Sequence, residues 1–529
     1  MTPISRLVRQ RLAGLAVALL FAGGLRAEVR LPALFSDGMV LQRDRPVPVW
    51  GTARPGETVT VRYVGQAVQT TAGADGRWRV SLAALAANEG ADLVVAGSAT
   101  LTVRNVAVGE VWVASGQSNM EQPLKTYERP ESPWAQRAAE AIVQINDPQL
   151  RMLTVYKRTA ERPLDNVTGV TGKWSPARPP QVAQFSDAAF HFARRLRSEL
   201  GVPVGIIHTS WGGSPAEAWT RVGALESDDQ LIPLVWDWER LLPHHAWRME
   251  RFEEKYQAEV AAAKAAGRPV PARGWPPQGA DSMGRPGNLW NGMVAPLIPF
   301  GMRGVIWYQG EGNAGRALQY EKLLPSMIAD WRTQWGQGEF PFLIVQLSTF
   351  QARQTKPVEL GAWPEIREAQ ARTLWLPNTG LVVASDLDVP EDSGNLHPHN
   401  KAAIGRRLGD HALATVYGKP IPYAGPRFER LERDGARLRL HFQFATAGLR
   451  LRAGAEKLEG FAIAGADQKW VWADAVIEGS TVVLSNPAVP EPVAVRYAWA
   501  VNPLGNLENA EGQPAMPFRT DAWQRPGYR

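Results

Sequence analysis

The pattern of apolar and polar positions divides the chain into three stretches. From Leu31 to about Val106, short β-type runs are broken by turn residues. Val59, Val61 and Tyr63 alternate with polar neighbours, and Pro55-Gly56 and Asp75-Gly76 mark turns, which predicts a small antiparallel β unit over 28–105. Between 106 and 417 the character changes. The runs VWVAS (111–115), VGIIH (204–208), GVIWY (304–308), FLIVQL (342–347) and LVVAS (381–385) are unalternated and rich in β-branched residues, as strands buried on both faces are. Segments at 188–201, 320–336 and 364–375 separate them, with apolar positions three and four apart, and predict helices. The alternation predicts an α/β domain layered about a parallel sheet. A helical excursion interrupts it at 227–286, carrying Met249, Phe252, Tyr256 and Val260 on one face ahead of a Pro/Gly-rich loop. From 418 to 529 β signals return around turns at Asp434-Gly435 and Glu478-Gly479, and a second antiparallel β unit is expected.

Residues 1–27 have the layout of a secretory signal peptide: Arg6, Arg9 and Arg11 precede an apolar run that ends near Ala27 and is too short to span a bilayer. The expectation is export to a periplasmic or extracellular location, with no membrane attachment after cleavage. Losing that segment removes four arginines and no acid, so the net charge falls from +6 to +2. With no Lys/Arg run elsewhere, no nucleic-acid partner is indicated. Cysteine is absent, which excludes disulfides, thiolate nucleophiles and Cys-based zinc sites. His397 and His399 lack a third metal ligand at a recognised spacing, so neither metal nor cofactor is expected.

Ligands of such sheets sit beyond the carboxyl ends of the strands. There, directly after VWVAS, stands Gly116-Gln117-Ser118-Asn119-Met120, with a serine in a glycine-supported turn. A serine so placed is either a nucleophile or the cap of a turn or helix. Met120 occupies the second glycine position of the G-x-S-x-G elbow, so that motif is not present. A serine nucleophile needs a base, and among the eight histidines His397 stands out because it follows the last parallel strand. Two further strand ends offer hydrogen-bond donors for a developing oxyanion: Ser210-Trp211-Gly212-Gly213 and Gln309-Gly310-Glu311-Gly312-Asn313.

Taken in order, GQSNM, SWGGSPAEAW, NGMVAPL, WYQGEGN and the Asp-Leu to His-Pro segment resemble the sialate O-acetylesterase family of the SGNH hydrolases, and the likeness extends into both flanking β units. The resemblance implies a three-layer α/β/α SGNH domain. It implies Ser118 as nucleophile, His397 as base, and a glycine of the Gly212-Gly213 pair with Gln309 or Asn313 as oxyanion donors. Trp211 and Glu311, from the same motifs, stand as candidate substrate-binding residues. Many SGNH enzymes carry an Asp three residues before the histidine, whereas this chain has Gly394. Asp392, Asp386, Asp388 or no acid at all are therefore the candidates for the third triad member, with Asp392 preferred as the nearest carboxylate in sequence. The implied partner is an acetylated carbohydrate. A sialate would call for a positioned cation, for which Arg285, Arg303 and Arg316 are at hand. Neutral xylan or xyloglucan fragments would lean on aromatic faces, for which Trp211, Trp219, Trp290 and Trp307 are at hand. From a different class stands a non-catalytic carbohydrate-binding protein.

Overall fold

A computed structural model describes residues 28–125, 133–166, 173–387 and 394–523. The signal-like segment 1–27 and both Asp388 and Asp392 lie outside the described residues. The central sheet contains β1 (Thr100–Gly116), β2 (Asp147–Thr154), β3 (Val204–Ser210), β4 (Gly304–Tyr308), β5 (Phe342–Val345) and β6 (Thr379–Val382). Their spatial order is β6-β5-β4-β1-β3-β2, with every neighbouring pair parallel. The five apolar runs all lie in this sheet. β1 is flanked by β3 on one side and β4 on the other, so the strand order reverses at its carboxyl end. That is the crevice where α/β sheets bind ligands.

Helices cover both faces. α1 (Ser118–Glu121), α2 (Asp187–Leu200), α3 (Ile232–Leu241), α4 (His245–Ala265), α5 (Ala317–Trp335), α6 (Ala362–Arg372) and α7 (Lys401–Thr415) follow in chain order. Trp112 of β1 packs edge-on against Phe192 of α2, whereas Trp307 of β4 packs against Trp331 of α5. Trp307 lies in register with Ser115, three residues from Trp112, and side chains alternate along a strand. The two tryptophans therefore point to opposite faces, and so do α2 and α5. The start of α2 is set locally: the Ser186 hydroxyl accepts the Ala189 N–H, an N-cap bond at the position where helices favour serine. α3 and α4 form the helical part of the excursion, with Trp236 and Trp247 exposed on them and Trp275 exposed in the loop that follows.

The N-terminal β unit joins this domain without a break. β1 runs for 17 residues: its first half pairs antiparallel with Asn88–Ala96, and its second half forms the middle of the central sheet. The expected boundary at 105/106 falls inside this strand. Val59, Val61 and Leu93 belong to one continuous core with Val113 and Ile206. The C-terminal unit has its own core, built on Leu438, Leu440, Ile463, Val482, Leu484 and Val495. It is docked by Arg367 of α6, whose fully buried guanidinium donates to the carbonyls of Leu347 and Ser348 on one side and Ala500 and Val501 on the other. Burial pushes this guanidinium down to about 9, still charged at neutral pH.

Candidate active site

The turn after β1 is built by the end of β4. Gly116 sits at φ +139° with its backbone against Tyr308, and the next N–H, that of Gln117, donates to the Tyr308 carbonyl at 3.0 Å. The Gln117 side-chain carbonyl accepts the Gly312 N–H at 3.0 Å, so the GQSNM and WYQGEGN turns are tied together. Ser118 then opens α1 at the edge of an open cleft of about 790 Å³, within the range of small-molecule sites. His397 arrives from the segment between β6 and α7. Its Nε2 lies 2.9 Å from Ser118 Oγ, within hydrogen-bond reach, and its backbone N–H donates to Asn395 Oδ1.

Gly212 faces the nucleophile from the end of β3. A side chain there would place Cβ 3.2 Å from Glu121 Oε2 and 3.3 Å from Ser118 Cβ, a tight fit that either neighbour would have to relieve by a small shift. Its N–H donates to the carboxylate of Glu121, which is ion-paired to Lys157 on the cleft wall. The Lys157 ammonium is 5.7 Å from the centre of the half-buried Trp211 ring. The same cleft holds a second Ser-His contact, His208 Nε2 to Ser210 Oγ at 2.6 Å. Burial, together with nearby Lys157, pushes His208 down to about 4, so it is neutral and weakly basic at neutral pH, far from the value a general base needs. Another cavity, between β6 and the C-terminal unit, is lined by Leu374, His411, Tyr423 and Phe444. Burial lowers its histidine to about 4 as well, and no serine is among the described residues that line it.

A family model described as carbohydrate esterase, sialic acid-specific acetylesterase, matches residues 282–414. The sialate O-acetylesterase of Rattus norvegicus is 29% identical over 559 aligned positions, covering 97% of this chain and 98% of its own. The Homo sapiens sialate O-acetylesterase is 28% identical over 442 positions, covering 76% of this chain and 74% of its own. A crystal structure of a carbohydrate acetylesterase from Xanthomonas citri matches with a TM-score of 0.77 at 36% identity, covering 94% of this chain and 100% of that one. The chain belongs to the sialate O-acetylesterase family. As a member of that family it is a carboxylic ester hydrolase built on the SGNH α/β fold.

Within this esterase, the candidates drawn from the sequence fall into two groups. Ser118, His397 and Gly212 meet at the cleft. The side-chain amides of Gln309 and Asn313 do not reach it: Gln309 Nε2 donates to the Ser214 carbonyl and Asn313 Oδ1, while Asn313 Nδ2 donates to Glu217. Both are buried, and their amides satisfy the protein's own acceptors, which is why they are not free to serve an oxyanion in this geometry. Gly213 is exposed at φ +77°, one residue beyond the contact with Ser118. Glu311, a candidate for substrate contact, instead turns beneath α1, where Oε1 accepts from Asn119 and Oε2 is buried; burial raises its carboxyl above the usual range. Trp219, Trp290 and Trp307 are core residues, leaving Trp211 beside the cleft. Arg285, Arg303 and Arg316 each pair with a carboxylate, of Glu161, Glu110 and Glu217 in turn. Sequence reasoning missed Glu121, although it stands three residues after Ser118 on the same helical turn. Lys157, in an irregular segment, carried no sequence signal.

Asp386 is engaged elsewhere. Both of its oxygens accept from Arg407 at 2.6 Å, and the pair is largely buried. Asp386→Asn is therefore expected to cost about 3–5 kcal/mol of stability by breaking a buried ion pair, with kcat within about tenfold of wild type. Loss of a true triad acid costs about 10⁴ in kcat, so a loss of that size at an unchanged melting temperature would make Asp386 the third member.

Proposed function

We propose that this esterase removes O-acetyl groups from carbohydrates through a serine acyl-enzyme. The contact that carries the reading is His397 Nε2 at 2.9 Å from Ser118 Oγ, at the reversal point of the sheet. In the first half-reaction His397 takes the hydroxyl proton while Ser118 attacks the acetyl carbonyl. The backbone N–H groups beside the nucleophile, Gly212 foremost, receive the developing oxyanion, and protonation by His397 lets the sugar alcohol leave. Water, deprotonated by the same imidazole, then releases acetate. Since Gly212 donates to Glu121 in the free enzyme, substrate must displace that carboxylate, and Lys157 is positioned to keep it paired as it moves.

Acetylated sialic acids are the substrate class suggested by the relatives' names, with Lys157 as the cation that lines the cleft. Neutral acetylated xylan or xyloglucan fragments form the second reading, favoured by the ion pairs that occupy Arg285, Arg303 and Arg316. We further propose that 1–27 direct export to a periplasmic or extracellular location, in keeping with the absence, among the described residues, of any helix long and apolar enough to cross a membrane.

The test is a mass-spectrometric panel of acetylated sialic acids and hemicellulose oligosaccharides, run beside labelling with a serine-directed phosphonate. Loss of one acetyl mass from a member of either class, with the label on Ser118, is the expected result. No acetate from any sugar and no label would favour the non-catalytic carbohydrate-binding alternative.

A further inference from the structure

Directly under the cleft lies a cluster that acyl transfer leaves without a task. Asn119, the residue after the nucleophile, is buried, and its Nδ2 donates to the Leu396 carbonyl at 3.1 Å and to Glu311 Oε1 at 2.5 Å. Its Oδ1 accepts from Lys401 Nζ at 2.5 Å. Lys401, at the start of α7, is 1% exposed; its ammonium also donates to the Pro398 carbonyl at 2.7 Å and lies 5.5 Å from the centre of the Tyr308 ring.

Leu396 and Pro398 are the two neighbours of His397. The carbonyl on each side of the base is thus held by one member of a bonded pair whose other end is the nucleophile turn. The backbone from Asn395 to Asn400 forms neither helix nor strand, so no ladder of main-chain bonds fixes the imidazole there. A fully buried ammonium is retained only where it is paired and hydrogen-bonded, because desolvation is otherwise too costly. Here the ammonium's bond to Asn119 Oδ1 reaches the turn and its bond to the Pro398 carbonyl reaches the loop. The geometry points to Asn119 and Lys401 as positioning residues that clamp the His397 loop to the Ser118 turn and so set the distance between nucleophile and base.

This inference rests on the proposed roles of Ser118 and His397. Its test measures kcat and KM on an acetylated test ester, the rate of phosphonate labelling at Ser118, and the melting temperature for Lys401→Met and Asn119→Asp. Asn119→Asp preserves the acceptor for Lys401 and, at nearly constant volume, removes the donor to the Leu396 carbonyl and to Glu311 Oε1, against which it sets a second carboxylate. Misplacement by about 1 Å costs about 100-fold in rate. The expected result is therefore a kcat lowered by about 100-fold in Lys401→Met and at least about tenfold in Asn119→Asp, with KM within about threefold. Labelling of Ser118 should slow in parallel. If Lys401→Met does not fold, Asn119→Asp decides alone. Folded variants with wild-type kcat and labelling rate overturn the clamp, and so does a raised KM at unchanged kcat. Failure of the nucleophile assignment would read differently: acetate release by wild-type enzyme with no label on Ser118.

Discussion

Ser118→Ala should reduce acetate release by about 10³-fold or more while leaving the melting temperature within a few degrees of wild type. The side chain is small and sits at the cleft edge, so its hydroxyl contributes little to packing. Its removal takes away the oxygen that lies 2.9 Å from His397 Nε2. Serine and histidine of such a unit act together, and removal of either costs nearly what removal of both does. His397→Ala and the double variant should therefore fall to the same floor, set by whatever the backbone donors and binding still supply. The measurement is single-turnover acetate release for the three variants under identical conditions. Additive losses, with the double variant far below either single, would mean that the two residues do not form one unit. Turnover of Ser118→Ala near the wild-type rate would remove Ser118 from the mechanism and leave Ser210, with its own histidine contact, as the serine to examine.

Gly116→Ala should be the most damaging single methyl group in this part of the molecule. A Cβ at that position would stand 2.1 Å from the Tyr308 carbonyl oxygen and 2.7 Å from its carbon, both backbone atoms that cannot swing aside. The φ of +139° adds a strain that alanine does not tolerate. Relief would require β1 and β4 to separate at their carboxyl ends, where Gly116 pairs with Tyr308 on one side and Ser210 on the other. The expected cost exceeds about 4 kcal/mol, the range reserved for a named steric failure rather than an ordinary substitution. Soluble yield and melting temperature report it. A Gly116→Ala protein that folds with a wild-type melting temperature would mean that the turn has a conformation different from the one described.

The sheet was legible because its strands are apolar on both faces: VWVAS and GVIWY have no solvent side, and a helix of that length would be too short. β2 escaped notice for a related reason. Its run DPQLRMLT contains Arg151, which reads as a surface residue, yet the guanidinium is buried and donates to the carbonyls of Gly38, Glu89 and Asn105. At the site, Ser118 and His397 were legible from chain position, since both follow parallel strands. The roles of Gln309, Asn313 and Glu311 were not, because a polar side chain in a turn gives no hint of whether it faces solvent or the turn's own backbone. Asn119 and Lys401 were invisible for the same reason from the other side: a lysine at a helix start reads as solvated until tertiary packing buries it. The tryptophans repeat the lesson, with Trp219, Trp290 and Trp307 packed among one another and the α5 indoles rather than offered to a sugar.

The length of β1 also bears on how the molecule is made. Up to Gly109 this strand has partners, Val40–Gln42 and Asn88–Ala96, that leave the ribosome before it, whereas residues 110–116 wait for Val204–Ser210 and then for Gly304–Tyr308. A single strand therefore spans an early, local pairing and a late, distant one. Loop closure over such separations is slow, so the growing chain holds an exposed, strongly apolar ribbon until more than half of the protein has been synthesised. A nascent esterase of this design is unable to complete its central sheet early. The same ribbon is the segment most in need of chaperone cover along the way.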